Sequence, residues 1–198
     1  MIDTDFNAIQ IIGDTIILRP GQSLDFGGIA KGWAVDNAAS LLQLYGYSDF
    51  FVNAGGDIYA KGSNEEGSGG WVIGVENPFT EKIIASLVLR DKAIATSGSY
   101  KRHWNIDQQN RHHLINPITG ENENAIVSVT LIAPECALAD GFTKSIFNAP
   151  ISEGLRLIEE HNMEGLIFTT KGQLLYTKGL REKYDFEFTE TEGQLSFV

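Results

Sequence analysis

The chain has a single cysteine, Cys136, which excludes an internal disulfide and a cysteine zinc cluster. Set between Ala133-Pro134 and Ala137-Leu138-Ala139, that thiol reads as a small buried hydrophobe, with a catalytic thiol as the alternative. No apolar run is long enough to span a bilayer. Met1–Phe6 includes two aspartates and lacks the basic-then-apolar pattern of a signal peptide, so the compartment stays open. Basic patches are missing as well. The formal net charge is −11 and the cations are scattered in pairs such as Lys101-Arg102. Duplex nucleic acid is bound by neutralising phosphates and anionic lipid by the same charges, so neither partner is expected. There is no G-x-G-x-x-G after a first strand, which speaks against a Rossmann dinucleotide site. Repeats of solenoid length and low-complexity tracts are also absent.

What remains is an ordinary globular composition, 42% apolar and 21% charged, over 198 residues, which suits one domain with a proper core. Ile9–Ile12 and Thr15–Leu18 read as a hairpin around Gly13-Asp14. Phe50–Asn53 and Ile58–Lys61 flank a Gly pair, and Ser63–Gly70 is a polar loop. Trp71–Glu76 and Ile83–Leu89 are strands bridged by Asn77-Pro78, and Ala93–Thr96 is a short strand. Trp104–Ile106 and His112–Ile115 flank a polar turn at Asp107–Arg111. Val127–Ala133 is β-rich, and Pro134 fits the first turn of a helix reaching about Phe147. Ile151–His161 is a second helix with Leu155 and Ile158 inward. Leu166–Thr169 and Leu174–Thr177 form a hairpin, and Phe186, Phe188, Leu195 and Phe197 suggest a terminal pair of strands. Strands outnumber helices and mostly follow one another directly. The expected fold class is therefore α+β with a mainly antiparallel sheet.

The most informative stretch is Leu24–Asp36, L-D-F-G-G-I-A-K-G-W-A-V-D. Asp25 can accept hydrogen bonds, and Gly27 and Gly28 let a ligand approach bare backbone. Ile29–Tyr45 then reads as a helix, with Ile29, Trp33 and Asp36/Asn37 one turn apart and Leu41, Leu42 and Leu44 closing an apolar stripe. Free N–H groups at a helix start favour anions such as a pyrophosphate. An ordinary turn capping a packed helix has the same sequence.

Two further segments carry small or polar residues that a ligand could approach. In Asn53-Ala54-Gly55-Gly56-Asp57 the glycines mark a bulge or a close backbone approach. Thr96-Ser97-Gly98-Ser99 offers hydroxyls and bare backbone, either for phosphate or as a solvated turn. Among the four histidines, His161 ends a helix and favours its C-terminal dipole, while His103 lies in a basic-aromatic segment that reads as structural. His112 and His113 should point to opposite faces of a strand. Lys31 reads as a solvated helix lysine.

These segments, with H-L-I-N-P-I-T-G at His113–Gly120 and S-V-T-L-I-A-P-E-C-A-L-A-D-G-F-T-K-S at Ser128–Ser145, occur in the order of the motifs of the ApbE family of FAD:protein FMN transferases, which the chain resembles. The resemblance covers the C-terminal part of a usual member, over one domain spanning 1–198, without the N-terminal portion that helps to enclose the flavin. It implies FAD as substrate and Mg²⁺ as helper. FMN would pass to a Thr or Ser hydroxyl of an acceptor protein, and members are often exported to the cell envelope. It implies contacts to the flavin nucleotide from Asp25, Lys31, Asn53, Gly55, Gly56, Asp57, Ser97 and Gly98. His113 matches the motif histidine near the transferred phosphoryl group, where deprotonating a hydroxyl needs a base that titrates near neutrality, as imidazole does. Asn116 stands where Asp is usual. Asp140 would be the catalytic metal carboxylate, with a carbonyl from Gly28 and a hydroxyl four residues beyond the carboxylate.

That fourth position is Lys144, which has donors only and cannot ligate a cation. Three readings stay open. Thr143 completes the metal site; Lys144 replaces the metal as the positive charge on phosphate; or an Asp140–Lys144 ion pair is merely structural. The implied functions are accordingly a flavin transferase, an FAD pyrophosphatase if water replaces the hydroxyl, or a non-catalytic flavin-binding or interaction module with a degenerate metal site.

Overall fold

The computed structural model describes residues 5–64, 69–100, 103–106, 109–117, 119–122, 125–189 and 196–197. Lys101-Arg102, the centre of the Ser63–Gly70 loop, Asp107-Gln108 and Leu195 lie outside the described residues, as does the His103 side chain. Phe6–Ala8 form a 3₁₀ turn. The strands and helices then run β1 (Gln10–Ile12), β2 (Thr15–Ile17), α1 (Ala30–Leu44), β3 (Phe50–Ala54), β4 (Asp57–Lys61), β5 (Trp71–Glu76), β6 (Ile83–Leu89), β7 (Lys92–Gly98), β8 (His103–Ile106) and β9 (Gln109–His112). They continue with β10 (Ile126–Ala133), α2 (Cys136–Phe147), α3 (Ile151–Glu160), β11 (Glu164–Thr169), β12 (Gln173–Tyr176), α4 (Gly179–Tyr184), β13 (Glu187–Phe188) and β14 (Ser196–Phe197).

The main sheet has the order β14-β12-β11-β10-β7-β4-β3, antiparallel throughout except for the parallel β12–β14 edge. A second sheet, β13-β6-β5, is also antiparallel. The fold is therefore α+β with mainly antiparallel pairing. Strand periodicity explains how one sheet serves two cores. Ile94, Ile132, Leu166, Phe168 and Leu174 face a core shared with Ile84, Leu87 and Leu89 of β6. Ala95, Val129, Leu131, Ile167 and Leu175 face the opposite core, with Ile146, Phe147 and Ile158 of α2 and α3. Each fully buried Val, Leu, Ile or Phe among them contributes about 1.5–3 kcal/mol. Among the described residues no helix is long and apolar enough to cross a membrane.

Several expectations need correction. The large apolar residues of α1 do not form its buried stripe. Ile29, Trp33, Leu41 and Leu44 are exposed, and the buried face is Gly32, Val35 and Ala39. The reason is distance: a Cβ on Gly32 would lie 2.5 Å from the Cys136 carbonyl oxygen, so only small residues fit where α1 meets α2. Gly55-Gly56 is not a bulge but the two-residue turn between Ala54 and Asp57, with φ of 64° and 101°. The strand expected at His112–Ile115 ends at His112, and Pro134 precedes α2 instead of entering its first turn. β13 and β14 do not pair with each other; they join β6 and β12. Sequence reading missed α4, a short helix whose Gly179 packs directly on the Glu164 carboxylate while Lys183 reaches Glu164 Oε1 at 2.6 Å.

Candidate functional site

The close seam between α1 and α2 organises the site. Asp36, one turn beyond Gly32, accepts from the N–H groups of Cys136 and Ala137, both at 2.8 Å. It caps the start of α2, where Glu135 offers no side-chain bond of its own. In return, Gly32 N–H donates to Oδ2 of Asp140 at 3.0 Å. Two residues of the Leu24–Asp36 stretch thus place two helices whose sequences lie about a hundred positions apart.

Above this seam opens a cavity of about 690 Å³. Its floor is the sheet face around Ile94, Thr96 and Thr130, where the two threonine hydroxyls lie 2.9 Å apart. Its rim brings together Gly27 and Lys31 at the α1 start, Asn53, Gly55 and Gly56 of the β3–β4 turn, Ser97 and Gly98 at the end of β7, His113 and Lys144. Most of the residues expected at the site therefore meet in one place. Asn53 Oδ1 accepts from Gly56 N–H at 2.8 Å, which fixes the turn.

Other expected residues stand behind the wall. Asp57 is 1% exposed, and Lys31 Nζ sits 2.8 Å from its Oδ2 as an ion pair, off the directions of a good hydrogen bond. Burial pushes the Asp57 carboxyl up from its ordinary value and the Asp140 charge adds to this, against the opposing pull of Lys31 and Lys144. Asp25 does not line the cavity; its Oδ1 accepts from Gly27 N–H at 2.7 Å and shapes the turn. Gly28 packs beneath Lys144, whose Cδ lies 3.4 Å from where a Cβ would be.

Asp140 and Thr143 are buried in the wall under Lys144. Thr143 Oγ1 donates to the Asp140 carbonyl at 2.7 Å, so the contact of 2.7 Å with Ser97 is one in which Ser97 donates. Lys144 Nζ donates to Asp140 Oδ1 and, at 2.9 Å, to the Asp140 carbonyl. The side-chain oxygens expected around a divalent cation are thus engaged. Oδ2 holds Gly32, Oδ1 holds an ammonium, and Thr143 is fully buried in its own bonds. Mg²⁺ prefers six oxygens in octahedral array, and these residues as arranged do not fit it. Among the described residues no group of three His, Cys, Asp or Glu could hold a metal.

The sequence reading also missed Asn122. Its Nδ2 donates to the carbonyls of His112 and Leu114, both at 2.8 Å, and its Oδ1 accepts from His112 N–H at 3.2 Å. This clamp holds the backbone on both sides of His113. An Asn in a loop carries no signal of such a role. His112 is buried edge-on to Phe147 at 5.5 Å, whereas His113 reaches the cavity. Asn116 Oδ1 accepts from Thr119 N–H at 3.3 Å, a turn bond that either Asn or Asp can make. Cys136 is buried, and burial together with Asp57, Asp36 and Asp140 pushes its thiol up to about 12, which excludes a nucleophilic thiolate at neutral pH. His161 closes α3, its Nδ1 3.0 Å from the Leu157 carbonyl.

The ApbE family model matches residues 2–167. The chain belongs to the ApbE family. An FAD:protein FMN transferase of Vibrio cholerae is 34% identical over 168 residues, 83% of this chain and 50% of that protein. One from Klebsiella pneumoniae is 29% identical over 158 residues, covering 78% and 48%. The crystal structure of the ApbE protein of Thermotoga maritima superposes with a TM-score of 0.82 at 28% identity, over 89% of this chain and 59% of that one. The flavin transferase ApbE from Vibrio cholerae gives 0.77 at 29% identity, over 89% and 58%. The chain spans about half the length of the curated relatives it matches. The family match takes in all the residues that converge on the cavity.

Proposed function

We propose that the cavity binds FAD and that the chain carries the nucleotide-holding part of an FMN transferase. The observation that carries this reading is the meeting of five separated motifs on one cavity large enough for a nucleotide. The names of the relatives supply the substrate class, a flavin dinucleotide and a protein acceptor. In this reading the Gly55-Gly56 turn, Asn53, Ser97 and Gly98 contact phosphate or ribose, and Lys31, backed by Asp57, places an ammonium on the diphosphate. The acceptor's Thr or Ser oxygen attacks the FMN phosphorus, His113 takes the hydroxyl proton, and the bond from that phosphorus to the AMP oxygen breaks. AMP leaves and FMN stays on the acceptor as a phosphoester. Asn122 holds His113 in place through the neighbouring carbonyls. No step is routed through a divalent cation, because the oxygens around Asp140 do not fit one.

The direct test incubates the protein with FAD, with and without a Thr/Ser acceptor peptide, and follows AMP and flavinylated peptide. Peptide-dependent AMP release, lost in His113→Ala, supports transfer. Release without peptide identifies a pyrophosphatase. A second reading, a flavin-binding module without transfer, is favoured by the ammonium lodged on Asp140. It predicts FAD binding with no AMP in either reaction.

A further inference from the structure

We propose that Lys144 is a built-in cation of the nucleotide site, so that a diphosphate binds there without a divalent metal. The inference rests on the flavin-nucleotide reading of the cavity and specifies how its charge is met. Three observations carry it. First, Lys144 lines the cavity, whereas its counter-ion does not: the Lys144 side chain is 24% exposed, and Asp140 lies buried behind it at 2%. A ligand in the cavity therefore meets the positive end of the pair.

Second, the ammonium is held firmly but incompletely. Two of its three N–H groups go to Asp140, one to Oδ1 and one to the carbonyl. One is left for a ligand oxygen. The stem lies against Gly28. Third, the carboxylate cannot serve both a metal and this network. Its other oxygen receives Gly32 N–H from α1, so recruiting a cation would mean displacing Lys144 against direct charge repulsion. Lys31 stands on the same cavity wall, 46% exposed. The two ammonium groups form a metal-free clamp suited to a doubly charged diphosphate, and charge-assisted bonds to phosphate are among the stronger hydrogen bonds.

Because both Asp140 carboxylate oxygens are already bonded, the site should bind its nucleotide without metal and gain little when metal is added. Titration calorimetry of the whole chain with FAD, in EDTA and in millimolar Mg²⁺, tests this. The expected dissociation constants agree within about threefold, and Lys144→Met weakens binding about tenfold in both buffers, the scale of one charge-assisted contact. Lys144→Arg, which keeps the charge, should retain binding and guards against a folding defect, as does a melting curve of each variant. Lys144→Thr should convert the site to one whose FAD affinity rises with Mg²⁺. Binding by the unmodified chain that needs Mg²⁺, or that is unchanged in Lys144→Met, overturns the proposal. If the folded chain binds no FAD in either buffer, the flavin reading itself fails, a result distinct from binding that requires metal.

Discussion

Two Lys–Asp pairs flank the cavity, and they are built differently. Asp140 and Lys144 are one helical turn apart on α2, and both carboxylate oxygens have hydrogen-bond donors, Lys144 and Gly32 N–H. Asp57 and Lys31 come from β4 and α1, and Asp57 Oδ2 has an ion-pair contact without a well-directed hydrogen bond. Both aspartates are almost fully buried, so exposure does not separate them. Satisfaction does. A buried carboxylate with donors on both oxygens is locked, and its lysine is a fixture of the wall. A buried carboxylate with one oxygen left to an ion-pair contact alone is held at a cost, and burial raises the Asp57 pKa. Its lysine, nearly half exposed, is free to turn toward a ligand.

Breaking the locked pair should have the largest effect. Lys144→Met leaves a buried, uncompensated carboxylate and should cost about 3 kcal/mol in denaturant unfolding, the scale for losing one partner of a buried pair. A cost near zero would mean that Lys144 does not hold Asp140. Gly32→Ala attacks the same pair from α1. Its Cβ would meet the Cys136 carbonyl at 2.5 Å, so the helices must separate, at about 2 kcal/mol of overpacking strain. The looser pair should matter less, and Lys31→Met is expected to cost about 1 kcal/mol, because Lys31 is nearly half exposed and the Asp57 carboxyl, already raised by burial, can take up a proton when its partner goes.

Replacing the carboxylates sharpens the contrast. The Asp57 pKa is raised on folding, so its contribution to stability is fully present below the ordinary carboxylate value and is lost as pH rises through the raised one. Asp57→Asn should therefore be at its most stable relative to the parent near neutral pH, and that advantage should shrink on acidification. Melting temperatures of the two proteins across this range check the sign; an advantage that grows in acid contradicts it. The smallest effect concerns Cys136, under the α1–α2 seam. Its thiol, pushed up to about 12, should stay unlabelled by thiol reagents at neutral pH and become reactive in Gly32→Ala if the seam opens.

Much of this was legible in sequence where residue type and spacing carry a local rule. The β-rich run of β10 and the Asn77-Pro78 turn between β5 and β6 placed those strands closely, and the motif order brought most of the expected residues to the cavity rim. What the sequence hid were choices made by tertiary distance. Trp33 and Leu41 suggested an inward face for α1, but the helix meets Cys136 at Gly32, and its buried face is Gly32, Val35 and Ala39. Asp36 read as the end of a motif and proves to cap a helix one hundred residues away. Asn122 carries no pattern at all, because its role is to bond backbone carbonyls that only the fold brings near. At Asp140 and Lys144 the i,i+4 spacing did announce the ion pair. It could not reveal that Gly32 and Ser97 complete the network around it.

The central claim, a nucleotide cavity whose cation is Lys144, is tested most directly by a crystal of the whole chain soaked with FAD and Mn²⁺, with anomalous scattering recorded for the metal. The account predicts a diphosphate between Lys31 and Lys144, with Lys144 still on Asp140 and no anomalous peak there. A manganese peak on Asp140 with Lys144 displaced, or a cavity without FAD at saturating concentration, would contradict it.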